Sequence, residues 1–244
     1  MNDNLTHTDR KDRIAFLVPS TTRNRDWKTI EETYLYNTLL RTMDDAPPDF
    51  DITIFIGYDK DDRIYKVFEN RQVINAVFMN FQVIWCEFPP DPGNVVKVWN
   101  SLANTALEHN FEYFMVLGDD IKVPKDRNWL RVFQKDLRKQ QNVGWVSGWS
   151  NNDAIATQFL IHKTHLDIFG FIFPPALRNY YCDDFLNNVY PNKYKSWRKN
   201  YHLLNTGGTP RYQPLNDKKL CEMLVKRHKS QVARFLNQMD IINI

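Results

Sequence analysis

The stretch Phe111-Glu-Tyr-Phe-Met-Val-Leu-Gly-Asp-Asp-Ile121 is an apolar run that stops at a glycine and two adjacent carboxylates, Asp119 and Asp120. The segment before it, Gly93-Asn-Val-Val-Lys-Val-Trp-Asn-Ser-Leu-Ala-Asn-Thr-Ala-Leu107, has helical spacing and feeds directly into that run. The acids therefore stand at the end of a strand in an α/β context. A strand that delivers paired acids to its carboxyl end is a natural place to hold a divalent cation and the phosphates it neutralises.

The β-then-α step recurs upstream. Arg13-Ile-Ala-Phe-Leu-Val-Pro-Ser-Thr-Thr22 reads as a buried strand, stopped by Pro19 and running into a polar loop. A helix is predicted from about Lys28 to Met43, ended by Asp44-Asp-Ala-Pro-Pro48. Phe50 to Gly57 is the second strand and empties into the acid-rich loop Tyr58-Asp-Lys-Asp-Asp62. A helix around Ile64 to Asn70 and a strand at about Gln82 to Phe88 follow. In the helix after Gly93, Val95, Trp99, Leu102, Ala103, Ala106 and Leu107 share one face. Lys97, Asn100, Asn104 and Glu108 share the other, whose plain reading is solvent exposure.

Downstream of the acids, Trp129 to Lys139 suggests a helix, and Val143 to Trp149 and Gln158 to His162 suggest strands. The Pro-broken Phe171 to Pro175 leads into Tyr180 to Tyr190, a helix pattern with Asp183 and Asp184 at its start, where Asp is favoured for capping alone. Tyr201 to Arg211 is a strand-to-loop segment, and about Asp217 to Met239 is a basic amphipathic helix.

The 244 residues suit one well-buried α/β domain and a tail. A hydrophobic fraction of 43% excludes a disordered chain, and 14% aromatic residues leave rings to line a pocket. The net charge of +3 excludes the strong field of a dedicated nucleic-acid binder. Cys86, Cys182 and Cys221 have no C-x-x-C spacing and read as reduced thiols rather than disulfides or a zinc site. The polar amino terminus lacks the apolar core of a secretion signal, and no apolar run approaches the roughly 20 residues that span a bilayer. The expectation is a soluble, cytoplasmic protein without a transmembrane segment. The lone sequon at Asn4 carries little weight without an export signal. Lys218, Lys219, Lys226, Arg227, His228, Lys229 and Arg234 in the tail read either as a solvated face, with Leu220, Leu224, Phe235 and Leu236 packed inward, or as a surface for peripheral contact with an anionic membrane or a partner. The Asn, Lys, Ile, Phe and Tyr richness suits an AT-rich genome, such as that of a large virus, in whose host's cytoplasm the protein would act.

Three acidic loops, at Asp59 to Asp62, Asp119 to Asp120 and Asp183 to Asp184, are expected to converge beyond one sheet's carboxyl edge. Carboxylates approach a nucleoside diphosphate only with a hard cation between them, so a site here implies Mn²⁺ or Mg²⁺.

This order of elements and motifs resembles the GT-A glycosyltransferases, nucleotide-sugar-dependent enzymes with a D-x-D metal motif. Gly93 to Ile121 looks like that superfamily's helix with a central Asn, here Asn100, followed by an apolar strand and the acids. Val18-Pro-Ser-Thr21 is similar to its first-strand nucleotide loop, Gly57 to Asp61 to the acidic end of its second strand, and Tyr180 to Tyr190 to its acidic helix start near the acceptor. The resemblance covers roughly residues 13 to 211 and implies an α/β single-domain mixed sheet flanked by helices, with a C-terminal helical tail. It divides the chain into a flexible lead (1–12), a catalytic domain (13–215) with a nucleotide-binding half (13–122) and an acceptor half (123–215), and a helical tail (216–244) packed on it.

By the same resemblance Asp120 would ligate the metal, Asp119 would contact the ribose or a metal-bound water, and His202 would complete the metal site, with His162, His165 and His228 as further candidates. The first D-x-D position is Gly118, so its ribose contact falls to a neighbour, for which Asp59 is the candidate. Asp59, with Asp61 as substitute, would accept from the nucleobase or ribose; Pro19, Ser20, Thr21 and Arg23 would line the nucleotide loop; Lys97 and Arg211 would touch phosphate. Asp183 or Asp184 would be the base that deprotonates the acceptor, making transfer inverting, and Trp145, Trp149, Tyr180 and Tyr181 would face the acceptor sugar. The implied partners are a nucleotide-diphosphate sugar donor and a carbohydrate, glycan or glycoprotein acceptor, with no nucleic acid. Two alternatives share the architecture: a sugar-phosphate nucleotidyltransferase, which calls for a Gly-rich loop where Pro19-Ser-Thr-Thr-Arg-Asn24 has no glycine, and a non-catalytic nucleotide-binding protein.

Overall fold

A computed structural model describes residues 12–44 and 50–242. The sequon, nearly all of the expected lead and the prolines expected to end the first helix lie outside them.

The chain runs β1 (Asp12–Pro19), a 3₁₀ turn (Ile30–Glu32), a π-type turn (Leu35–Leu40), α1 (Arg41–Met43), β2 (Phe50–Asp59), α2 (Phe68–Val77), β3 (Gln82–Phe88), α3 (Val95–Glu108) and β4 (Tyr113–Val116). There follow β5 (Ile121–Lys122), α4 (Trp129–Lys139), β6 (Trp145–Trp149), β7 (Phe159–His162), α5 (Thr164–Phe169), α6 (Cys182–Val189), a 3₁₀ turn (Asn192–Tyr194), β8 (Lys195–His202), β9 (Leu204–Asn205) and α7 (Lys218–Ile242). Seven strands form one sheet in the order β3-β2-β1-β4-β7-β6-β8, and β5 and β9 form a small second ribbon. The first four strands in that order are parallel; β7 runs antiparallel to both neighbours, and β8 is parallel to β6. The carboxyl ends of β1, β2, β3 and β4 therefore open on one edge, where α/β sheets bind ligands.

The two-residue period of a strand sorts side chains to opposite faces. Ile14, Phe16 and Val18 pack on one face with Ile54, Met115, Leu130 and Phe133; Ala15 and Leu17 pack on the other with Phe114, Leu102, Ala106 and Phe185. Both faces are covered, which is why β1 and β4 read as continuous apolar runs. The indole of Trp99 donates to the carbonyls of Leu17 (3.2 Å) and Leu117 (3.4 Å), fixing α3 beside the ends of β1 and β4. The tail helix α7 lays Leu220, Leu224, Phe235 and Leu236 on the second layer and seats His228 among Phe169, Phe171 and Phe185. Lys226, Arg227 and Lys229 are exposed. Among the described residues no helix is long and apolar enough to cross a membrane.

The helix expected over Lys28–Met43 is a 3₁₀ turn followed by a π-type turn, because the Thr33 hydroxyl takes the Ile30 carbonyl (2.6 Å) and interrupts the α ladder. The helix expected at Ile64–Asn70 starts later, at Phe68, because the buried Asp62 carboxylate accepts from the amides of Ile64 (3.1 Å) and Tyr65 (3.0 Å) and holds them in a turn. On α3, Lys97, Asn104 and Glu108 are exposed as expected, but Asn100 turns inward. Its Oδ1 accepts from the amides of Ile172 (2.9 Å) and Phe173 (3.0 Å), and its Nδ2 donates to the Phe173 carbonyl (2.8 Å).

Asn100 thus ties α3 to the Pro-broken segment that precedes α6. Asn100→Ala leaves two part-buried amides unpaired and should lower the unfolding free energy by about 1–3 kcal/mol, measured by urea denaturation. An unchanged midpoint would show that water replaces the clamp.

Candidate active site

β1 ends at Pro19, and the Ser20 amide donates to the Gly57 carbonyl at the end of β2 (2.8 Å). This brings Ser20 over the end of β4, where its hydroxyl stands between Tyr65 Oη (2.8 Å) and Asp119 Oδ2 (2.6 Å). The single hydroxyl proton goes to the stronger acceptor, the carboxylate, so Tyr65 donates to Ser20. Burial first, and Asp119 second, raise the Tyr65 pKa above its ordinary value, which keeps that donor protonated.

Asp119 has no exposed surface. Arg211 grips it through both oxygens: Nη1 donates to Oδ2 at 2.6 Å and Nη2 donates to Oδ1. The same Nη1 donates to the Thr21 carbonyl (2.9 Å), and Nη2 stands 3.7 Å from Asp120 Oδ2. Burial opposes the Arg211 charge, but Asp119 and then Asp120 outweigh it and raise the Arg211 pKa. Asp120 has the opposite balance: burial and the Asp119 charge lift its pKa to about 6 against the pull of Arg211 and Arg25.

Two glycines shape the space around Asp120. A Cβ on Gly118 would stand 2.7 Å from Asp120 Oδ1, and one on Gly207 would collide with Oδ2. Gly207 belongs to the strap from Thr206 to Gln213 that crosses the site. Thr206 donates to the Asp120 carbonyl from its amide (3.0 Å) and its hydroxyl (2.9 Å), and Arg25 Nη2 donates to the carbonyls of Gly207 (3.0 Å) and Thr209 (2.7 Å). Asn24 and Asn179 donate to the strap at Arg211 (2.9 Å) and Gln213 (3.3 Å).

Beside this cluster lies an open cleft lined by Pro19, Ser20, Thr21, Arg23, Asp59 and Arg211, with Asp91, Gly93 and Tyr212 closing it. Arg23 donates to Asp59 (3.2 Å) and Asp61 (2.5 Å) and so fixes the acids after β2. Five of the residues expected at a nucleotide, Pro19, Ser20, Thr21, Arg23 and Asp59, line this one cleft, and Asp119 is joined to it through Ser20 and Arg211. Lys97 and Asn100 do not line it: Lys97 pairs with Asp91 (3.6 Å), and Asn100 clamps the loop already described.

His202 packs edge-on to Trp149 at the end of β8, and the residue bonded to the Asp120 carbonyl is Thr206, just beyond β9. His162, His165 and His228 bond to Thr164, Tyr190 and Gln231 respectively. Among the described residues no three His, Cys, Asp or Glu side chains gather as a metal-holding group. With Asp119 taken up by Arg211 and Asp120 walled by Gly118 and Gly207, the donor set does not fit a resident Mn²⁺ or Mg²⁺.

Asp183 and Asp184 occupy the first turn of α6, entered through Tyr181 in the left-handed region (φ 69°) without a side-chain cap. The two acids diverge. Asp184 lines a separate groove against α7 with Tyr181, Cys221 and Lys226. Asp183 acts, together with Asp120, on the phenol of Tyr212 in the cleft wall. Its carboxylate has one side-chain partner, the weak donor Cys182 Sγ (3.7 Å), and burial followed by the Asp184 charge lifts its pKa to about 7. The helix N-terminus favours the charged form but is outweighed. Of the aromatic residues expected at an acceptor, Trp145 is core, Trp149 is half-buried and Tyr180 is exposed.

No family model matches the sequence, and no curated protein matches it. Solved structures do. A mannosyltransferase from Pyrobaculum calidifontis, PcManGT, in complex with GDP-Man and Mn²⁺, aligns with a TM-score of 0.56 at 14% identity over 82% of this chain and 59% of its own. Residues 1–349 of S. aureus TarS align with a TM-score of 0.53 at 11% identity over 79% of this chain and 60% of that one. The fold is that of the nucleotide-diphospho-sugar transferases. The chain spans about three fifths of each of these two relatives.

Within this fold, Arg25, Tyr65 and Tyr212 were missed by the sequence reading, and Arg211 was read only as a rim cation. Their one signal is the pair Gly207-Gly208 before Arg211, which marks a backbone that must approach something closely. Gly207→Ala should overpack the strap against Asp120, lowering unfolding free energy by about 1–3 kcal/mol and speeding proteolytic cleavage between Thr206 and Gln213. Wild-type cleavage rates would show that the strap adjusts freely.

Proposed function

We propose that the protein is a glycosyltransferase that moves a sugar from a nucleoside-diphosphate donor to a hydroxyl of a carbohydrate, glycan or glycoprotein, with inversion by single displacement. The fold and the cleft at the ends of β1 and β2 support a nucleotide-sugar donor. The observation that carries the reading is Asp183, a carboxyl in the first turn of α6 whose side-chain partner among the described residues is the weak donor Cys182 Sγ and whose pKa is raised by burial. Asp183 takes the proton of the acceptor hydroxyl as its oxygen attacks the anomeric carbon, while the bond from that carbon to the β-phosphate oxygen breaks and the nucleoside diphosphate leaves. Its raised pKa makes it a stronger base than an exposed aspartate. No step is assigned to a metal ion.

A sugar-phosphate nucleotidyltransferase would instead need amide donors of a flexible loop around a triphosphate. Here that loop is pinned by Asp62, which accepts from the Thr22 amide (2.7 Å) and hydroxyl (2.9 Å).

Asp183→Asn should lower kcat about 10²- to 10⁴-fold with little change in donor KM, while Asp184→Asn remains near wild type, both assayed with a panel of nucleotide sugars. Transfer by Asp183→Asn at wild-type rate would place the base elsewhere. The base works as the carboxylate, whose population falls as pH drops through about 7. Wild-type kcat/KM should therefore rise with pH up to about 7 and level off above it, and the rise should vanish in Asp183→Asn.

A further inference from the structure

We propose that Arg211 is the cation that neutralises the donor diphosphate, so that this protein binds nucleoside diphosphates without a divalent metal. The inference rests on the nucleotide-sugar reading of the cleft, and the geometry around Asp119 carries it.

Arg211 lines the cleft beside Ser20 and Thr21 and is fixed in place before any ligand arrives, by Asp119 and the Thr21 carbonyl. A guanidinium has five N–H donors in a planar fork matched to phosphate oxygens. Asp119 and Thr21 engage three of them; the Nε–H and the second Nη2–H of Arg211 have no hydrogen-bond acceptor among the described residues. A second guanidinium meets the same ring and the same acid. Arg25 and Arg211 both lie 5.8 Å from the Tyr34 ring centroid, and Arg25 acts on Asp120. Arg25 Nε is buried without a hydrogen-bond partner.

The charge count shows why a metal is redundant. Two aspartates and one divalent cation sum to zero, and so do Asp119, Asp120, Arg211 and Arg25. A cation ligated by Asp120 Oδ2 would also sit against Arg211 Nη2, which is 3.7 Å from that oxygen, and like charges at such separations repel strongly in a partly buried site. Asp119 thus orients Arg211, and Arg211 presents the N–H groups that a bridging metal presents as a point charge.

The test is calorimetric titration of the full chain with UDP, GDP, CDP, ADP and dTDP, each in EDTA and in MnCl₂. At least one should bind with the same Kd in both. Binding that appears only with Mn²⁺ overturns the role of Arg211 and leaves the nucleotide reading standing, whereas no binding in either buffer overturns both. Arg211→Ala leaves Asp119 buried and unpaired and risks unfolding, so the informative variant is Asp119→Asn with Arg211→Gln, which removes both charges together. Its Kd in EDTA should rise roughly ten- to a hundredfold, the loss expected for hydrogen bonds to a charged group. Arg211→Lys, which keeps the charge and loses the fork, should fall between. A double variant that binds as tightly as wild type overturns the proposal. Manganese paramagnetic resonance supplies an independent readout: the nucleotide-free protein should leave added Mn²⁺ in its aqueous form, and stoichiometric capture would overturn the proposal.

Discussion

The buried pair Asp119–Arg211 is the interaction on which the site depends. Its partners are 92 residues apart, one at the end of β4 and the other on the strap that follows β9. An unpaired carboxylate at that depth costs several kcal/mol, and a buried pair broken on one side costs about 3–5 kcal/mol. Asp119 is tolerated because both oxygens accept from Arg211 and one also from Ser20. The strap is held in return: Arg211 reaches the Thr21 carbonyl and Arg25 holds Gly207 and Thr209. The ends of β1 and β4 and the strap are therefore one electrostatic unit, and the cleft wall exists only while that unit is closed.

The glycine at the first position of the acidic triplet follows from the same packing. An acid at 118 looks absent in the sequence, and Asp120 folds its carboxylate back toward Gly118 and Gly207, so that a Cβ at 118 would press on Asp120 Oδ1 and one at 207 would collide with Oδ2. In that position Asp120 Oδ2 stands 3.7 Å from Arg211 Nη2. A side chain at 118 would therefore make Asp120 shift its carboxylate.

What the sequence made legible was set by local periodicity. β3 and α4 fall on the predicted residues because an apolar stretch closed by prolines and a strongly amphipathic helix each depend on neighbours within one or two turns. The segments between β1 and β2 and between β2 and α2 were misread because Thr33 and Asp62 respectively bond to nearby backbone, a choice that hydrophobic spacing does not record. The site was legible in its halves: the residues after β1, those after β2 and the acids after β4 do meet at one edge. Its closure was not legible, because Arg25, Tyr65 and Arg211 reach the acids through tertiary folding, and their residue types carry no mark of their partners.

Asp183 and Asp184 show how one helix gives two identical side chains different chemistry. Consecutive residues on an α-helix point about 100° apart, so adjacent acids in one turn leave the helix in different directions. Asp184 turns toward α7 and the exposed Lys226. Tyr212, the residue directly after Arg211 on the strap, lines the cleft wall, and the charges of Asp183 and Asp120 both raise its pKa. Because Arg211 is fixed by its buried pair with Asp119, the strap that carries Tyr212 is fixed with it. The pair that neutralises the end of β4 thus also holds this wall of the cleft, so loosening Arg211 must disturb the wall together with the acids.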